Sequence, residues 1–185
     1  MDERYTVAGL LRTQADRTPD ETMLVCGGER RTWADQHRRS SQVAQALRAD
    51  GVSPGDRVAF LDRNGLDYFD VLFGGALAGA VNVAVNWRLA PVEMAAVIDD
   101  SRAETLFVHP DYEGALEGLE LPHVRRVVVL GDGTGSAGGP AGRVGYREWL
   151  ERHPATDPGF AGGPDHVAMQ LYTSGTTGLP KGVML

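Results

Sequence analysis

The chain has 185 residues, of which 42% are hydrophobic and 23% charged, and these values are ordinary for one globular domain. Its formal net charge of −7 argues against binding to nucleic acid, and no run of Lys and Arg predicts a membrane-binding patch. The single cysteine, Cys26, excludes an internal disulfide and favours a reducing, cytoplasmic location. We expect Cys26 to be a small buried side chain.

No segment has the hydrophobicity that export or membrane insertion requires. The N-terminus, residues 1–4, is acidic and polar, so no secretory signal is predicted. The longest apolar stretch, residues 71–85, is interrupted by glycines and by Asn82, and it is too short to cross a bilayer. We therefore expect no transmembrane segment.

Helical and strand patterns alternate along most of the chain. Thr32, followed three residues later by Asp35 where Glu or Gln is usual, indicates a loose analogue of a capping box at the start of a helix, just after a hairpin over 23–33. The apolar spacing predicts helices over 6–17, 33–50, 66–78 and 91–100, and strands over 57–61, 80–85, 104–108 and 124–130. This order predicts an α/β fold, a layered parallel sheet with right-handed crossover helices.

Residues 131–145 contain seven glycines, and Gly133 to Gly138 match the spacing of the dinucleotide-binding fingerprint. That fingerprint requires a helix to begin at its end, whereas Gly139-Pro140 follows and no apolar period starts. We therefore expect a surface loop over 131–145 that binds no cofactor. A short helix over 146–152, a Pro- and Gly-rich linker over 153–165 and a strand over 167–172 are predicted to follow.

The segment TSGTTGLPKG comes directly after that last strand. Its glycines allow backbone N–H groups to approach a ligand closely, and its hydroxyls add hydrogen-bond donors. It also holds the only lysine of the chain, beside 17 arginines, and an ammonium group is a mobile point charge suited to phosphate. The segment predicts a polyphosphate-binding loop, with candidate residues Thr173, Ser174, Gly175, Thr176, Thr177, Gly178 and Lys181.

Better-known loops and other catalytic sites do not fit. The Walker A motif requires Ser or Thr after its Lys, whereas Gly182 follows Lys181. The hydrolase elbow requires Gly two residues before its Ser, where Ser174 has Tyr172, and the protein-kinase loop pattern is also missing. The five histidines are scattered without metal-ligand spacing. Asp99-Asp100 are adjacent on a helix and cannot face each other as an acid/base pair.

The TSGTTGLPKG segment resembles the phosphate loop of the AMP-forming adenylating enzymes, a superfamily that joins acyl- and aryl-CoA synthetases, peptide-synthetase adenylation domains and luciferases. The resemblance covers the chain from about residue 6 to the end. RTWAD at 31–35 is similar to an early segment of the family, with Trp in place of Tyr and Ala-Asp-Gln in place of Glu-Leu. GVSPGDRVA at 51–59 looks like a turn and strand of the family, and GAV at 79–81, NWRL at 86–89 and DS at 100–101 look like its acyl-CoA synthetase branch.

This resemblance implies that residues 1–185 are the N-terminal part of the large AMP-binding (adenylating) domain of an acyl-CoA synthetase. The remainder of that domain and the small C-terminal domain would be absent. It implies ATP-dependent activation of a carboxylic acid, with a fatty acid as the expected substrate of lipid metabolism. The products of the first step would be an acyl-adenylate and pyrophosphate, and the acyl group would then be transferred to CoA.

The resemblance also implies roles for the loop residues, with ATP, Mg²⁺ and CoA as cofactors. Lys181 is expected to be catalytic and to bind the β/γ-phosphates together with Ser174, Gly175, Thr176 and Thr177, and Gly178 belongs to the same nucleotide site. Thr173 is the expected ligand for Mg²⁺. No nucleic acid or membrane partner is expected, and the assembly is compatible with a homodimer.

Two interpretations from other functional classes remain open. One is a stand-alone nucleotide- or phosphate-binding module without turnover, and the other is a structural fragment that binds nothing. The 185-residue chain by itself is expected to be an inactive fragment, because the adenine- and magnesium-binding segments of the family lie further along its members' chains.

Overall fold

The computed structural model describes residues 5–131, 142–163, 165–173 and 180–185. Within these residues the chain forms helices α1 to α6 and strands β1 to β9 in chain order. The helices span Val7–Arg17, Trp33–Ala49, Leu66–Ala78, Pro91–Ser101, Pro110–Glu113 and Tyr146–Glu151. The strands span Thr22–Cys26, Glu29–Thr32, Arg57–Leu61, Val81–Ala84, Thr105–Val108, Arg126–Val129, Gly142–Gly145, Met169–Thr173 and Lys181–Met184.

Seven of these strands form one sheet in the order β7-β6-β5-β3-β4-β8-β9. Neighbouring strands are parallel, except that β9 runs antiparallel to β8 at one edge. The predicted α/β fold with a layered parallel sheet is confirmed, and every helix and strand predicted over 57–130 is present. The antiparallel edge strand was not predicted.

Helices cover both faces of this sheet. Along β3, Val58 and Phe60 face one apolar layer, which α1, α2, α3 and α6 complete, whereas Ala59 and Leu61 face a second layer under α4. Helix α3 connects β3 to β4 across one face of the sheet. Helix α4 then crosses the other face from β4 to β5, and β5 lies on the opposite side of β3 from β4. The winding direction therefore reverses at β3, and in such sheets ligands bind at the carboxyl ends of the strands.

The predicted hairpin forms a separate two-stranded sheet, β1 with β2. The predicted capping box is confirmed: Thr32 Oγ1 accepts a hydrogen bond from Asp35 N at 3.1 Å, and Asp35 Oδ2 accepts one from Thr32 N at 3.4 Å. The expectation of a buried Cys26 was wrong, because β1 lies outside the main sheet and its last residue is exposed.

The prediction of one continuous surface loop over 131–145 was wrong at its end. Residues 142–145 form β7, which pairs in parallel with β6, and Val144 is buried beside Val128. Strand β7 forms through backbone hydrogen bonds to β6, and these bonds do not require the side chains that Gly142 and Gly145 lack. Residues 132–141, which include the dinucleotide-like fingerprint, lie outside the described residues.

Asp70, on α3, is fully buried and accepts hydrogen bonds at both carboxylate oxygens. Oδ1 accepts from Arg31 Nη1 at 2.5 Å and from Gln36 Nε2 at 3.0 Å. Oδ2 accepts from Arg39 Nε at 2.8 Å and from the Tyr146 hydroxyl at 3.2 Å. Burial, and next the charge of Asp70, raise the pKa of Tyr146, so its phenol remains a donor. This network joins the hairpin, α2, α3 and α6.

Residues 153–163, which we call the strap, run across α1 and α2 and lead to β8. Asp157 anchors the strap: its two carboxylate oxygens accept from Arg12 Nε and Nη2, each at 2.7 Å, and His37 Nε2 lies 2.8 Å from Oδ2. Gln42 Nε2 also donates to the carbonyl of His153 at 3.0 Å. Burial alone would raise the pKa of Asp157, but hydrogen bonds from Arg12 and His37 outweigh it and hold that pKa below its usual range.

Asp157→Asn is expected to lower the free energy of unfolding by about 1.5–3 kcal/mol at pH 7, because hydrogen bonds to a charged group are lost. The folded-state pKa of Asp157 is lowered, so its stabilising contribution is complete above its ordinary pKa of about 4 and declines as the pH falls below that value. Urea unfolding of the variant and the wild type at pH 7 and pH 3 measures both effects.

The control is Asp16→Asn, which removes the same charge from an exposed position on α1. This change is expected to alter the free energy of unfolding by no more than about 0.5 kcal/mol. A difference between Asp157→Asn and the wild type that is as large at pH 3 as at pH 7 would contradict the role of the Asp157 carboxylate.

Candidate phosphate-binding site

Strands β8 and β9 hold the two ends of the predicted phosphate loop. β8 lies beside β4 in parallel and ends at Thr173, at the carboxyl edge of the sheet. Lys181 is the first residue of β9, and its Cα lies opposite that of Thr173 in the antiparallel pair. The sequence analysis treated Lys181 as part of a loop, and the structure places it at the start of a strand.

Ser174, Gly175, Thr176, Thr177 and Gly178 lie outside the described residues, so their roles stay predictions. Thr173 and Lys181 are both exposed, and neither side chain makes a hydrogen bond or an ion pair with another described residue. A hydroxyl and an ammonium group therefore lie on neighbouring strands at the edge where ligands bind in open α/β sheets.

Behind this edge, polar side chains connect β8 to α4. The Tyr172 hydroxyl donates to Asp100 Oδ2 at 2.6 Å and accepts from Gln170 Nε2 at 2.9 Å. Burial, and next the hydrogen bond to Asp100, raise the pKa of Tyr172, so its hydroxyl stays protonated at neutral pH. The sequence analysis gave Asp100 no partner, since residues 72 positions apart have no local signal that joins them.

A second polar cluster lies where β3, β4 and β5 end at the same carboxyl edge. The guanidinium carbons of Arg63 and Arg88 lie 5.1 and 3.9 Å from the ring centroid of Trp87, and Arg63 Nε donates to the Tyr112 hydroxyl at 3.1 Å. Neither arginine forms a salt bridge within the described residues. The sequence analysis predicted no binding role for this cluster, although exposed cations beside an aromatic ring are suited to anionic ligands.

The described residues contain no group of three or more His, Cys, Asp or Glu side chains placed to hold a metal ion. None of the described helices is both long enough and apolar enough to cross a membrane. At the carboxyl edge, Arg63, Arg88 and Lys181 supply exposed cations and Thr173 supplies an exposed hydroxyl.

A family model described as AMP-binding enzyme matches residues 11–185. The chain belongs to this AMP-binding enzyme family, and the resemblance drawn from its sequence motifs is confirmed. The predicted phosphate-loop segment lies within the matched region.

Known ligases are similar to nearly all of the chain. A fatty acid–[acyl-carrier-protein] ligase of Streptomyces coeruleorubidus is 37% identical over 92% of this chain and 31% of its own length. A 3-hydroxybenzoate–CoA/4-hydroxybenzoate–CoA ligase of Thauera aromatica is 35% identical over 94% of this chain and 33% of its own length. The chain therefore spans about a third of the length of the curated relatives that it matches.

A solved structure shares the fold. The anthranilate CoA ligase AuaEII, in complex with anthranoyl-AMP, superposes with a TM-score of 0.88 at 26% identity, and the match covers 100% of this chain and 36% of that one. The fold is that of the N-terminal part of an acyl-CoA ligase.

Proposed function

We propose that residues 1–185 are the N-terminal part of the adenylating domain of an acid–CoA ligase. The complete enzyme joins a carboxylic acid, expected to be a fatty acid, to AMP from ATP, releases pyrophosphate and then transfers the acyl group to CoA. The observation that carries this proposal is the position of Thr173 and Lys181 opposite each other at the carboxyl edge, in a chain that belongs to the AMP-binding family.

The proposed roles follow the chemistry of each group. Lys181 neutralises the charge that develops on the departing pyrophosphate, and the amides and hydroxyls of residues 174–178 bind its oxygens. Because the Cα of Lys181 lies opposite that of Thr173, its side chain starts beside the end of β8 and its ammonium acts on phosphate held there. Positioning and charge stabilisation, rather than proton transfer, are the contributions of these residues to the first step.

Thr173 fits a limited role towards Mg²⁺. One exposed hydroxyl cannot hold this ion alone, but Mg²⁺ retains several waters and is commonly held by substrate phosphates with one or two protein oxygens. Mg²⁺ supplies charge neutralisation between the phosphates of ATP when it is bound. Thr173 would then contribute one neutral oxygen beside the phosphates that residues 174–178 and Lys181 bind.

Two molecules are candidates for the acceptor of the acyl group, CoA and an acyl carrier protein. CoA is favoured by the Arg63–Trp87–Arg88 cluster, because its two guanidiniums lack acidic partners among the described residues and could bind the phosphates of CoA. An acyl carrier protein is favoured by the relative from Streptomyces coeruleorubidus, which is a ligase of that kind. A cytoplasmic location belongs to the same proposal, since the chain has only one cysteine.

The test uses the full-length protein that carries this chain, with a panel of fatty and aromatic acids. ATP–pyrophosphate exchange that depends on the acid is expected, with AMP formed in equal amount to the acyl product. Parallel assays with CoA and with a phosphopantetheinylated carrier protein decide the acceptor. Cleavage of ATP to ADP and phosphate, or no exchange with any acid, would overturn the proposed function.

The 185-residue chain, assayed alongside, is expected to give no acid-dependent exchange. It spans only about a third of the length of the related ligases, so most of the contacts that hold ATP and acid in those enzymes lie outside it. Exchange above background by the 185 residues alone would refute this part of the proposal and favour a smaller catalytic unit.

A further inference from the structure

Tyr172 occupies the position just before the predicted phosphate loop, and its side chain reaches Asp100 on α4. Its hydroxyl donates to Asp100 Oδ2 at 2.6 Å, a distance typical of a charge-assisted hydrogen bond from a hydroxyl to a carboxylate. Gln170, two residues earlier on β8, donates to the same hydroxyl at 2.9 Å. The Tyr172 hydroxyl therefore uses both its donor and an acceptor position in holding β8.

Gly182 makes room for this arrangement on the neighbouring strand. It is the Cα partner of Tyr172 in the antiparallel pair. A Cβ at position 182 would lie 2.6 Å from Gln170 Nε2 and 3.2 Å from Tyr172 Cζ. The backbone of Gly182 does not have the positive φ that would require glycine, so the observed reason for a glycine here is the space taken by the two β8 side chains.

Asp100 is an unfavourable residue at its position unless it has a partner. It lies in the last turn of α4, where the helix dipole disfavours negative charge, and that turn contains no basic residue. The Tyr172 hydroxyl supplies a hydrogen-bond donor to this carboxylate. The contact therefore stabilises the end of α4 as well as β8.

We propose that Tyr172 is a positioning residue for the phosphate site. Its bond to Asp100, supported by Gln170 and by the space at Gly182, fixes β8 and β9 relative to α4 and so fixes Thr173 and Lys181, which pair one residue further along. This inference rests on the proposed function, because it assumes that the segment between those residues binds the phosphates of ATP. Loss of the bond would let both strand ends shift, and small displacements of binding groups weaken catalysis strongly.

The test compares Tyr172→Phe, Asp100→Ala and Asp100→Asn in the full-length protein. Tyr172→Phe and Asp100→Ala are each expected to raise the Kd for MgATP, measured by calorimetry without acid, by about fivefold. Both are expected to slow adenylation by a similar factor, with the KM for the acid and thioester formation from pre-made acyl-adenylate unchanged. Asp100→Asn keeps an acceptor oxygen and is expected to stay within about twofold of the wild type.

Tyr146→Phe is the matched control. It also removes a tyrosine hydroxyl that donates to a carboxylate, that of Asp70, at 3.2 Å. Asp70 is buried whereas Asp100 is exposed, and Tyr146 lies in the other apolar layer of the sheet. It is expected to lower stability and to leave the Kd for MgATP unchanged. The double variant Tyr172→Phe/Asp100→Ala is expected to bind MgATP no more weakly than either single variant, since both remove the same bond.

The outcomes separate this inference from the proposed function. An unchanged Kd for MgATP in Tyr172→Phe, or an increase in Kd that Tyr146→Phe matches, would overturn the positioning role. A wild-type protein that binds MgATP without acid-dependent exchange would refute the proposed function, and the Kd comparison would still decide the inference. A wild-type protein that does not bind MgATP would overturn both.

Discussion

Lys181→Met is expected to slow formation of the acyl-adenylate by roughly 10- to 150-fold in the full-length protein. A hydrogen bond to a charged group contributes about 1.5–3 kcal/mol, and this range corresponds to that loss of rate. Thioester formation from pre-made acyl-adenylate and CoA should change much less, because pyrophosphate has already left. Single-turnover kinetics of the two half-reactions, measured separately, provides the comparison.

The control for Lys181→Met is Arg125→Met, which removes an exposed cation immediately before β6, at the amino edge of the sheet, and changes the net charge by the same amount. It is expected to leave both half-reactions unchanged. Equal slowing of the two half-reactions in Lys181→Met would mean that this lysine supports the fold or the thiol step. No slowing in either would indicate a solvated lysine, and both results would remove its proposed role towards phosphate.

Asp70→Asn is expected to lower the free energy of unfolding by about 3 kcal/mol, the largest stability effect that the described network predicts. The substitution keeps the shape of the side chain but leaves Arg31 and Arg39 without a buried counter-charge. Their side chains are 11% and 30% exposed, so water compensates part of the loss and the lower end of the usual range applies. Urea unfolding at neutral pH measures the difference from the wild type.

Glu148→Gln is the matched control for Asp70→Asn, since it neutralises an acid that pairs with Arg152 on the surface of the protein. Exposed pairs of this kind contribute about 0.5 kcal/mol or less, because water and salt screen them. A loss of stability in Asp70→Asn no larger than that in Glu148→Gln would show that the buried network does not hold the hairpin, α2, α3 and α6 together.

The sequence by itself determined the elements whose signals are local. Apolar residues at helical spacing gave the bounds of α1 and α3 to within one residue, and the Thr32–Asp35 capping box marked the start of α2. Alternating strands and helices over 57–108 were enough for the α/β class, because crossover connections allow few other arrangements. The glycine- and hydroxyl-rich segment after β8 was enough to indicate the family.

The tertiary structure alone decided the features that depend on distant residues. Gly142–Gly145 is a strand because β6 offers a free edge, and Lys181 begins a strand because β8 does. Asp70 finds partners from three other elements, and Tyr172 reaches Asp100 from 72 residues away. A chain's local pattern records which residues prefer to be buried and at what spacing. Which strand edge stays free, and which buried charge meets which donor, is fixed only when separate segments pack together.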